Sequence, residues 1–430
     1  MKSLFALLAA TMLAAPGVAQ TVAITGGTVA IGDGSAPIED AVVVFRDGRI
    51  VAAGRGVAVP AGATVIDATG KWVAAGFVAG FTSIGLADAA GIEESNDESA
   101  RNSPFAAAID VADAVNPATV QIGNERVGGV TRALIAPGTA GSIFAGQGAV
   151  IDLGVDPAPI TRARAFQYVE LGEGGARDAG GSRPAAYAML RDAFAQAQDF
   201  RRNPAAFGGR ERTSLLKRGD AEALLAVLDG RVPLVVRVER ASDIRNVLAL
   251  TRLYPKLKLV LAGAAEGWMV AGEIAAARVP VIAEALADLP AQFESLGATE
   301  SNVGRLDAAG VRVGISANTQ GGEHLLKQYA GNLVAIARVP GATGLDWGKA
   351  FATITSRPAE ALGMDGEIGS LRSGRRADVV LWDGDPLELS SAPVAVWIDG
   401  VAQPMRSRQI ELRDRYLTPH EGALPKAYER

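Results

Sequence analysis

Strand and helix patterns alternate through the central part of the chain, from about residue 73 to residue 365. Short runs rich in Val, Ile and Leu are each followed by a longer segment with apolar residues at helical spacing. This alternation predicts a parallel sheet or barrel, in which each strand returns through a helix. Strands are predicted at 130–136, 149–153, 234–238, 258–262, 279–282 and 311–316, and helices at 220–229, 242–253, 268–277, 300–309, 326–337 and 347–362.

The segments on either side of this region are rich in strand signals. Residues 20–72 contain several β-branched runs, and Asp47-Gly48 between two of them predicts a tight hairpin. Strand signals return at 377–382 and 394–401. Residues 20–72 and 366–416 therefore predict one β-sandwich domain built from both chain ends, beside a barrel of residues 73–365. Residues 405–416 are predicted to be helical, and 417–430 to form a loose tail.

The first nineteen residues have the composition of a secretory signal. Lys2 precedes an apolar run over 4–15, and Gly17-Val18-Ala19 supplies small residues at the cleavage positions. The run is too short to span a bilayer, and no later run reaches that length. We expect cleavage after Ala19, a periplasmic or secreted mature protein and no membrane span.

The overall composition argues against a polyanionic partner. The chain has 430 residues, of which 49% are apolar and 21% charged, with a net charge of −5. Acidic and basic residues are mixed along the sequence, so no basic surface for nucleic acid is predicted.

Four segments together carry a resemblance to a known family. They are 75-AGFVAGFTS-83, 126-RVGGVTRALIAPG-138, 354-ITSRPAEALGM-364 and 366-GEIGSLRSGRRADVVLWDGDPL-387. In this order they resemble the amidohydrolase superfamily, in particular its imidazolonepropionase-like and dihydroorotase-like members. The resemblance implies an α/β fold, with a (β/α)8 TIM-type barrel and a small β-sandwich. It also implies hydrolysis of carbon–nitrogen bonds other than peptide bonds, by one or two divalent metals at the carboxyl ends of the strands.

Positions that match the metal ligands of that superfamily hold other residues here. The His-x-His pair of the first barrel strand falls on Phe81 and Ser83. In VRVERASDI, which resembles the fifth strand, the metal-binding histidine falls on Arg237 and the second histidine on Glu239. The resemblance therefore places these four side chains in a pocket at the barrel mouth.

The other matched positions also differ from the family pattern. The sixth-strand histidine falls on Gly263, and the eighth-strand aspartate, the usual general base, falls on Asn318. A bridging ligand on the fourth strand matches either Asp152 or Glu170. The resemblance therefore implies a member of the superfamily without catalytic residues at these positions.

The histidine count supports the same conclusion without any alignment. His324 lies in a predicted loop and His420 in the predicted tail, and the chain has no other histidine and no cysteine. A zinc site needs about three or four nitrogen, sulfur or oxygen ligands in fixed geometry, so no metal or other cofactor is predicted. An all-carboxylate Mg²⁺ or Ca²⁺ site on Asp152, Glu170 and Glu239 is the alternative.

The replacement residues have a structural and a functional interpretation. Arg237 and Glu239 are two apart on a strand, so both should face the barrel interior and form an ion pair, with Asp152 as an alternative partner for the arginine. Arg237 is either a structural ion-pair member or the binding group for an anionic ligand. Phe81 either fills the former metal cavity or stacks on a substrate. The Gly-rich stretch 172–183 predicts a flexible loop at the barrel rim.

The sequence thus predicts an exported amidohydrolase-like pseudoenzyme that acts as partner or regulator of an active amidohydrolase. The partner would be a paralogue or a second copy of this chain. One alternative is a periplasmic protein that binds a small anionic amide or peptide. Another is a hydrolase with an atypical site that acts on non-peptide carbon–nitrogen bonds.

Overall fold

The computed structural model describes residues 21–89, 91–207, 215–317 and 322–417. These residues form two β structures, an eight-stranded sheet and a closed eight-stranded barrel. The strands are β1 (Val22–Ala30), β2 (Ile38–Arg46), β3 (Arg49–Gly54), β4 (Thr64–Asp67), β5 (Trp72–Ala75), β6 (Phe77–Thr82), β7 (Val130–Ile135), β8 (Phe144–Asp152), β9 (Ile160–Glu170), β10 (Leu234–Val238), β11 (Leu259–Gly263), β12 (Val281–Glu284), β13 (Val313–Ser316), β14 (Val379–Trp382), β15 (Pro393–Ile398) and β16 (Val401–Gln403).

Helices follow most of the barrel strands and cover their outer surface. The helices are α1 (Val120–Val127), α2 (Glu173–Asp178), α3 (Arg183–Arg202), α4 (Pro204–Phe207), α5 (Arg218–Leu228), α6 (Ala241–Leu253), α7 (Ala271–Ala277), α8 (Asn302–Ala308), α9 (Leu326–Ile336), α10 (Trp347–Ala352), α11 (Ser356–Ala361) and α12 (Arg408–Leu417). Within residues 21–89, 91–207, 215–317 and 322–417, no helix is both long enough and apolar enough to cross a membrane.

Both ends of the chain contribute strands to the separate sheet, whose order is β16-β15-β14-β5-β1-β2-β3, with β4 also paired to β1. The predicted α/β fold, with a barrel and a second β unit drawn from both ends, is confirmed. The hairpin at Asp47-Gly48 is confirmed too, since both residues have positive φ and β2 pairs antiparallel with β3. β5 belongs to this sheet, so the sheet extends past the predicted boundary at residue 72.

The barrel departs from a uniform (β/α)8 arrangement at one strand. The pairs from β9 through β13 to β7 are parallel, as the strand–helix alternation predicts. β8, however, runs antiparallel to both β7 and β9. Its connections, 136–143 and 153–159, are shorter than the roughly dozen residues that a parallel crossover needs.

The reversal of β8 separates the two candidate fourth-strand residues. Asp152 ends β8 opposite Arg132, near the start of β7. Glu170 ends the parallel strand β9 and pairs in register with Arg237. Only Glu170 of the two therefore lies at the carboxyl ends of the parallel strands.

Two predicted elements differ from those observed, and one observed strand, β9, is not predicted. The predicted helix 347–362 is two helices, because Thr353 and Thr355 direct their hydroxyls to the backbone carbonyls of Ala350 and Phe351 at the break. The predicted strand 394–401 is a hairpin, because Asp399 and Gly400 turn the chain with positive φ. β9 was not predicted, since its first half carries arginines and has the composition of a loop.

Aromatic and ionic contacts join the sheet to the barrel. The Phe77 ring lies 5.4 Å from Trp382 and 6.1 Å from Phe351, measured between centroids. Arg132 of β7 bonds to Asp378, which directly precedes β14. These buried contacts fix the amino ends of β6 and β7 and so position their carboxyl ends, where the candidate site lies.

Candidate functional site

The carboxyl ends of the parallel barrel strands surround a cavity of about 380 Å³. We call this end of the barrel, lined by Phe81, Glu170 and Arg237, the mouth. Barrel enzymes carry their active sites at this end, because the loops that follow the strands meet there. The polar and charged lining residues are Thr82, Ser83, Glu98, Thr139, Tyr168, Glu170, Arg177, Arg237, Gln292 and Glu294.

Arg237 lies among three carboxylates at the mouth. Its Nη2 is 3.2 Å from Glu239 Oε1 and 3.2 Å from Glu284 Oε1, and its Nε is 3.9 Å from Glu170 Oε2. The predicted Arg237–Glu239 pair is confirmed, whereas the alternative pairing with Asp152 is wrong, because Asp152 faces Arg132 at the other end of the barrel. We call Arg237 and its three glutamates the guanidinium cluster.

Glu284 belongs to this cluster although no sequence motif indicates it. It is the last residue of β12, and β12 lies two strands from β10 in the barrel. Its position at the carboxyl end of a parallel strand is the signal that could have identified it, since every such end points to the mouth.

Gly263 provides the space that Glu239 occupies. Gly263 ends β11 with φ of +82°, and a β-carbon there would lie 2.6 Å from Glu239 Cδ. The glutamate carboxylate therefore fills the volume in which a side chain at position 263 would begin. Ala265 N donates to Glu239 Oε2 at 3.0 Å and fixes this position.

Glu170 is enclosed by the Gly-rich stretch that follows it. A β-carbon on Gly175 would overlap the backbone oxygen of Glu170, and one on Gly174 would lie 3.2 Å from Glu170 Cδ. The stretch forms α2 close to the glutamate, so the prediction of a flexible loop over 172–183 is wrong. The glycines allow a helical turn to pack directly on a buried carboxyl group.

Burial changes the acidity of the cluster carboxyls. It raises the pKa of Glu170 to about 7, against the opposing attraction of Arg237. It raises the pKa of Glu239 to about 7 in the same way. Near neutral pH each group therefore exchanges a proton readily, and the charge of the mouth changes with pH.

Phe81 lies at an irregularity in β6. Pairing with β7 is in register at Ala79 and resumes at Thr82, and Phe81 between them has φ of +31°. The ring meets Phe166 edge-on at 5.2 Å and Tyr168 at 5.7 Å between centroids. An aromatic ring thus lines the base of the mouth cavity, next to the buried Ser83.

The remaining predicted residues lie elsewhere. Asn318 and His420 are outside the described residues. His324 sits in a turn, where its Nδ1 is 3.1 Å from Glu125 Oε1. The neighbouring Glu323 is buried and accepts a hydrogen bond from Thr82, which lines the cavity. Burial raises the pKa of Glu323 to about 7.

Comparisons with known proteins agree with this architecture. A family model described as "Amidohydrolase family" matches residues 303–402. Imidazolonepropionase of Maricaulis maris (strain MCS10) is 36% identical over 98 residues, which are 22% of this chain and 23% of that protein. A solved amidohydrolase from Thermotoga maritima shares the fold, with a TM-score of 0.78 and 23% identity over 90% of this chain and 100% of its own. Residues 303–402 therefore match the amidohydrolase family, and the chain as a whole has the fold of a solved amidohydrolase.

A further relative matches a shorter stretch. Amidohydrolase tasK of Hapsidospora irregularis is 50% identical over 60 residues, which are 14% of this chain and 6% of that protein. The chain therefore spans less than a quarter of the length of either curated relative that it matches. These matches show a likeness to amidohydrolases over part of the chain and do not indicate a substrate.

The divalent metal implied by the superfamily does not fit this set of side chains. Phe81 offers no lone pair, Gly263 offers no side chain, and the positive Arg237 occupies the space among the carboxylates. Throughout the ranges covered by the structure, no three His, Asp or Glu side chains are grouped so as to hold a metal ion. A guanidinium and a divalent cation repel each other strongly in a poorly solvated pocket.

Proposed function

We propose that this protein is an exported member of the amidohydrolase superfamily without a catalytic metal, which binds a small ligand at the barrel mouth instead of hydrolysing it. The observation that carries the proposal is the guanidinium cluster. Arg237 stands at 3.2–3.9 Å from Glu170, Glu239 and Glu284, so a fixed organic cation balances the carboxylates.

The chemistry of the mouth supports binding over hydrolysis. Metal-assisted hydrolysis needs a hydroxide made from water near neutral pH. A guanidinium stays protonated in proteins and cannot coordinate such a hydroxide. Ser83 would need an adjacent base to act as nucleophile, and His324, the histidine within the described ranges, is bonded to Glu125 instead.

The distribution of charge indicates the class of ligand. The charged side chains that line the cavity are Glu98, Glu170, Glu294, Arg177 and Arg237. Arg237 is already paired with the glutamates of its cluster. Arg177 of α2 is exposed and makes no ion pair with another residue that the structure describes. A ligand carboxylate fits Arg177, and a ligand ammonium fits Glu170. These two sites refine the expected anionic ligand to a zwitterion, such as an amino acid or short peptide.

The purified mature protein should contain much less than one metal ion per chain. A group that is not bound cannot stabilise the fold, so chelator should leave the melting temperature unchanged. Elemental analysis and thermal melting with and without EDTA measure both quantities, and desalting after incubation with zinc provides the control. Near-stoichiometric metal, together with a melting temperature lowered by EDTA, would contradict the proposal.

A dipeptide such as alanyl-alanine should bind with a bell-shaped dependence on pH. The ammonium needs Glu170 ionised, and the pKa of this carboxyl is raised to about 7. The peptide amine itself loses its proton near about pH 8. Affinity should therefore peak between roughly pH 7 and 8, which titration calorimetry can test.

Arg177→Gln should weaken the dipeptide by about tenfold, because it removes the carboxylate contact. Arg191→Gln, an exposed arginine on α3, is the matched control and should bind like the wild type. Equal binding of an N-acetylated dipeptide would show that Glu170 does not recognise the amine. If no zwitterion bound at any pH, the proposed binding function would be wrong.

That last outcome would favour a second role, as partner of an active amidohydrolase. The observation behind it is an apolar segment beside the mouth. Leu289, Phe293 and Leu296 are 80%, 82% and 64% exposed. The same segment contributes Gln292 and Glu294 to the cavity, so a protein bound there would also cover the mouth.

A further inference from the structure

A second cavity, of about 640 Å³, opens at the end of the barrel opposite the mouth. It lies where the parallel strands begin, among the residues that precede β10, β11 and β12 and the first half of β9. We call it the floor cavity. Its lining includes the buried side chains of Leu257, Leu259, Val260 and Leu362.

Five cationic side chains line the floor cavity, and one carboxylate does. The cations are Arg162, Arg164, Arg231, Lys258 and Arg278, and the carboxylate is Glu360. Glu360 is itself paired, at 2.7 Å with Arg357 and at 3.4 Å with Arg312. The lining of the floor cavity is therefore positively charged, although the whole chain has a net charge of −5. Convergent charge of one sign above an apolar base attracts the opposite charge.

A structural explanation covers part of this set. α5, α6 and α7 end near the floor, and a cation after a helix end balances the negative pole of its dipole. This accounts for Arg231, three residues after α5, and for Arg278, which directly follows α7, as local features. It does not account for Arg162 and Arg164, which lie on β9.

Arg278 has a backbone conformation that is unusual for arginine. It takes the left-handed position after α7, with φ of +54°, where glycine is the favoured residue. A helix cap alone does not require arginine there. Arg164 also has a positive φ, of +50°.

Donor capacity remains on several of these cations. Arg162 pairs with Glu367 and Arg164 with Asp110, each at 2.7 Å, and Arg231 lies 3.5 Å from Asp229. Lys258 and Arg278 are exposed and form no ion pair with a residue in the described ranges. Ion pairs on exposed side chains are weak, so an anion with several oxygens can compete with them.

We propose that the floor cavity binds a small organic phosphate, separately from any ligand at the mouth. The phosphate would accept hydrogen bonds from Lys258 and Arg278, with the β9 arginines adding charge. The organic part would lie against the leucines and Val260. A ligand with a carboxylate in place of the phosphate would bind more weakly, because a carboxylate has fewer acceptor oxygens and less charge.

The test uses the full mature chain and phenyl phosphate, measured by calorimetry at constant ionic strength. Phenyl phosphate should bind more tightly than inorganic phosphate, and benzoate more weakly than both phosphates. The double variant Lys258→Gln with Arg278→Gln should weaken phenyl phosphate by about tenfold or more. Lys256→Gln with Arg252→Gln removes two exposed cations outside the cavity and should have no effect.

Thermal melting of each variant checks that it is folded, because all four side chains are exposed. Arg237→Met, at the mouth, should leave phenyl phosphate binding unchanged. This variant therefore tests the floor cavity independently of the mouth. The inference is overturned if phenyl phosphate and chloride bind alike at equal ionic strength. It is also overturned if the floor double variant binds phenyl phosphate as the wild type does.

Discussion

Arg132→Ala should destabilise the protein by about 3–5 kcal/mol, because it removes the cation from a buried ionic network. The Arg132 side chain has no solvent exposure, and its Nε and Nη2 bond to Asp378 at 2.8 and 2.9 Å. Nη2 also lies 2.8 Å from Asp399, and Nη1 lies 3.5 Å from Asp152. Without the guanidinium, three carboxylates would face one another between the sheet and the barrel. Chemical denaturation monitored by circular dichroism measures the loss.

The loss should be smaller at pH 5 than at pH 8. Burial already raises the pKa of Asp152 to about 6 in the wild type, with Arg132 opposing that shift. A carboxyl whose folded pKa is raised stabilises the fold below its unfolded pKa, and this contribution is lost as the pH rises through the folded value. Removing Arg132 takes away the attraction that opposes this shift, so the folded pKa of Asp152 should rise further and protonation should relieve the variant at low pH.

Arg245→Ala is the matched control for the Arg132 experiment. Arg245 pairs with Glu273 at 2.8 Å, but both side chains are about half exposed. Surface pairs of this kind contribute roughly 0–1 kcal/mol. If the two alanine variants unfolded at the same denaturant concentration, the buried network would not hold the sheet to the barrel.

The predictions from the sequence succeeded where side-chain periodicity decides the structure. Leu234–Val238 is a run of apolar residues with a single arginine, and its strand matches the prediction residue for residue. β9 was missed because Arg162 and Arg164 interrupt its alternation, although they face the floor cavity rather than a loop. Apolar periodicity indicates which residues are buried. Arginines that face a cavity at the start of a strand break this periodicity, so the strand is not predicted.

The candidate site was predictable in position but not in its contacts. The family pattern placed Phe81, Arg237 and Glu239 at the mouth, and the structure brings them there. Glu284 comes from a strand that no motif marks. α2 was missed because glycines usually indicate a loop, whereas here they make room for Glu170. Close approach of backbone to a side chain depends on three-dimensional spacing that one sequence does not display.

Gly263→Ala should cost roughly 2–5 kcal/mol, as the sum of two effects. The left-handed φ of +82° disfavours any β-carbon by about 1–2 kcal/mol. The new methyl group would also meet the Glu239 carboxylate, and overpacking of this kind typically costs about 1–3 kcal/mol. Gly272→Ala in α7 is the control, because a β-carbon there would meet nothing within 4 Å.

A double-mutant cycle separates the two effects. In the background of Glu239→Ala, Gly263→Ala should cost only the backbone term, because the carboxylate is gone. A cost that is equal in both backgrounds would mean that Glu239 does not fill the space at Gly263.

If the cycle shows coupling, restoring histidine at Phe81, Ser83 and Gly263 should not rebuild a metal site. The third histidine would displace Glu239 and leave Arg237 charged beside it, so the variant should lose stability without gaining zinc.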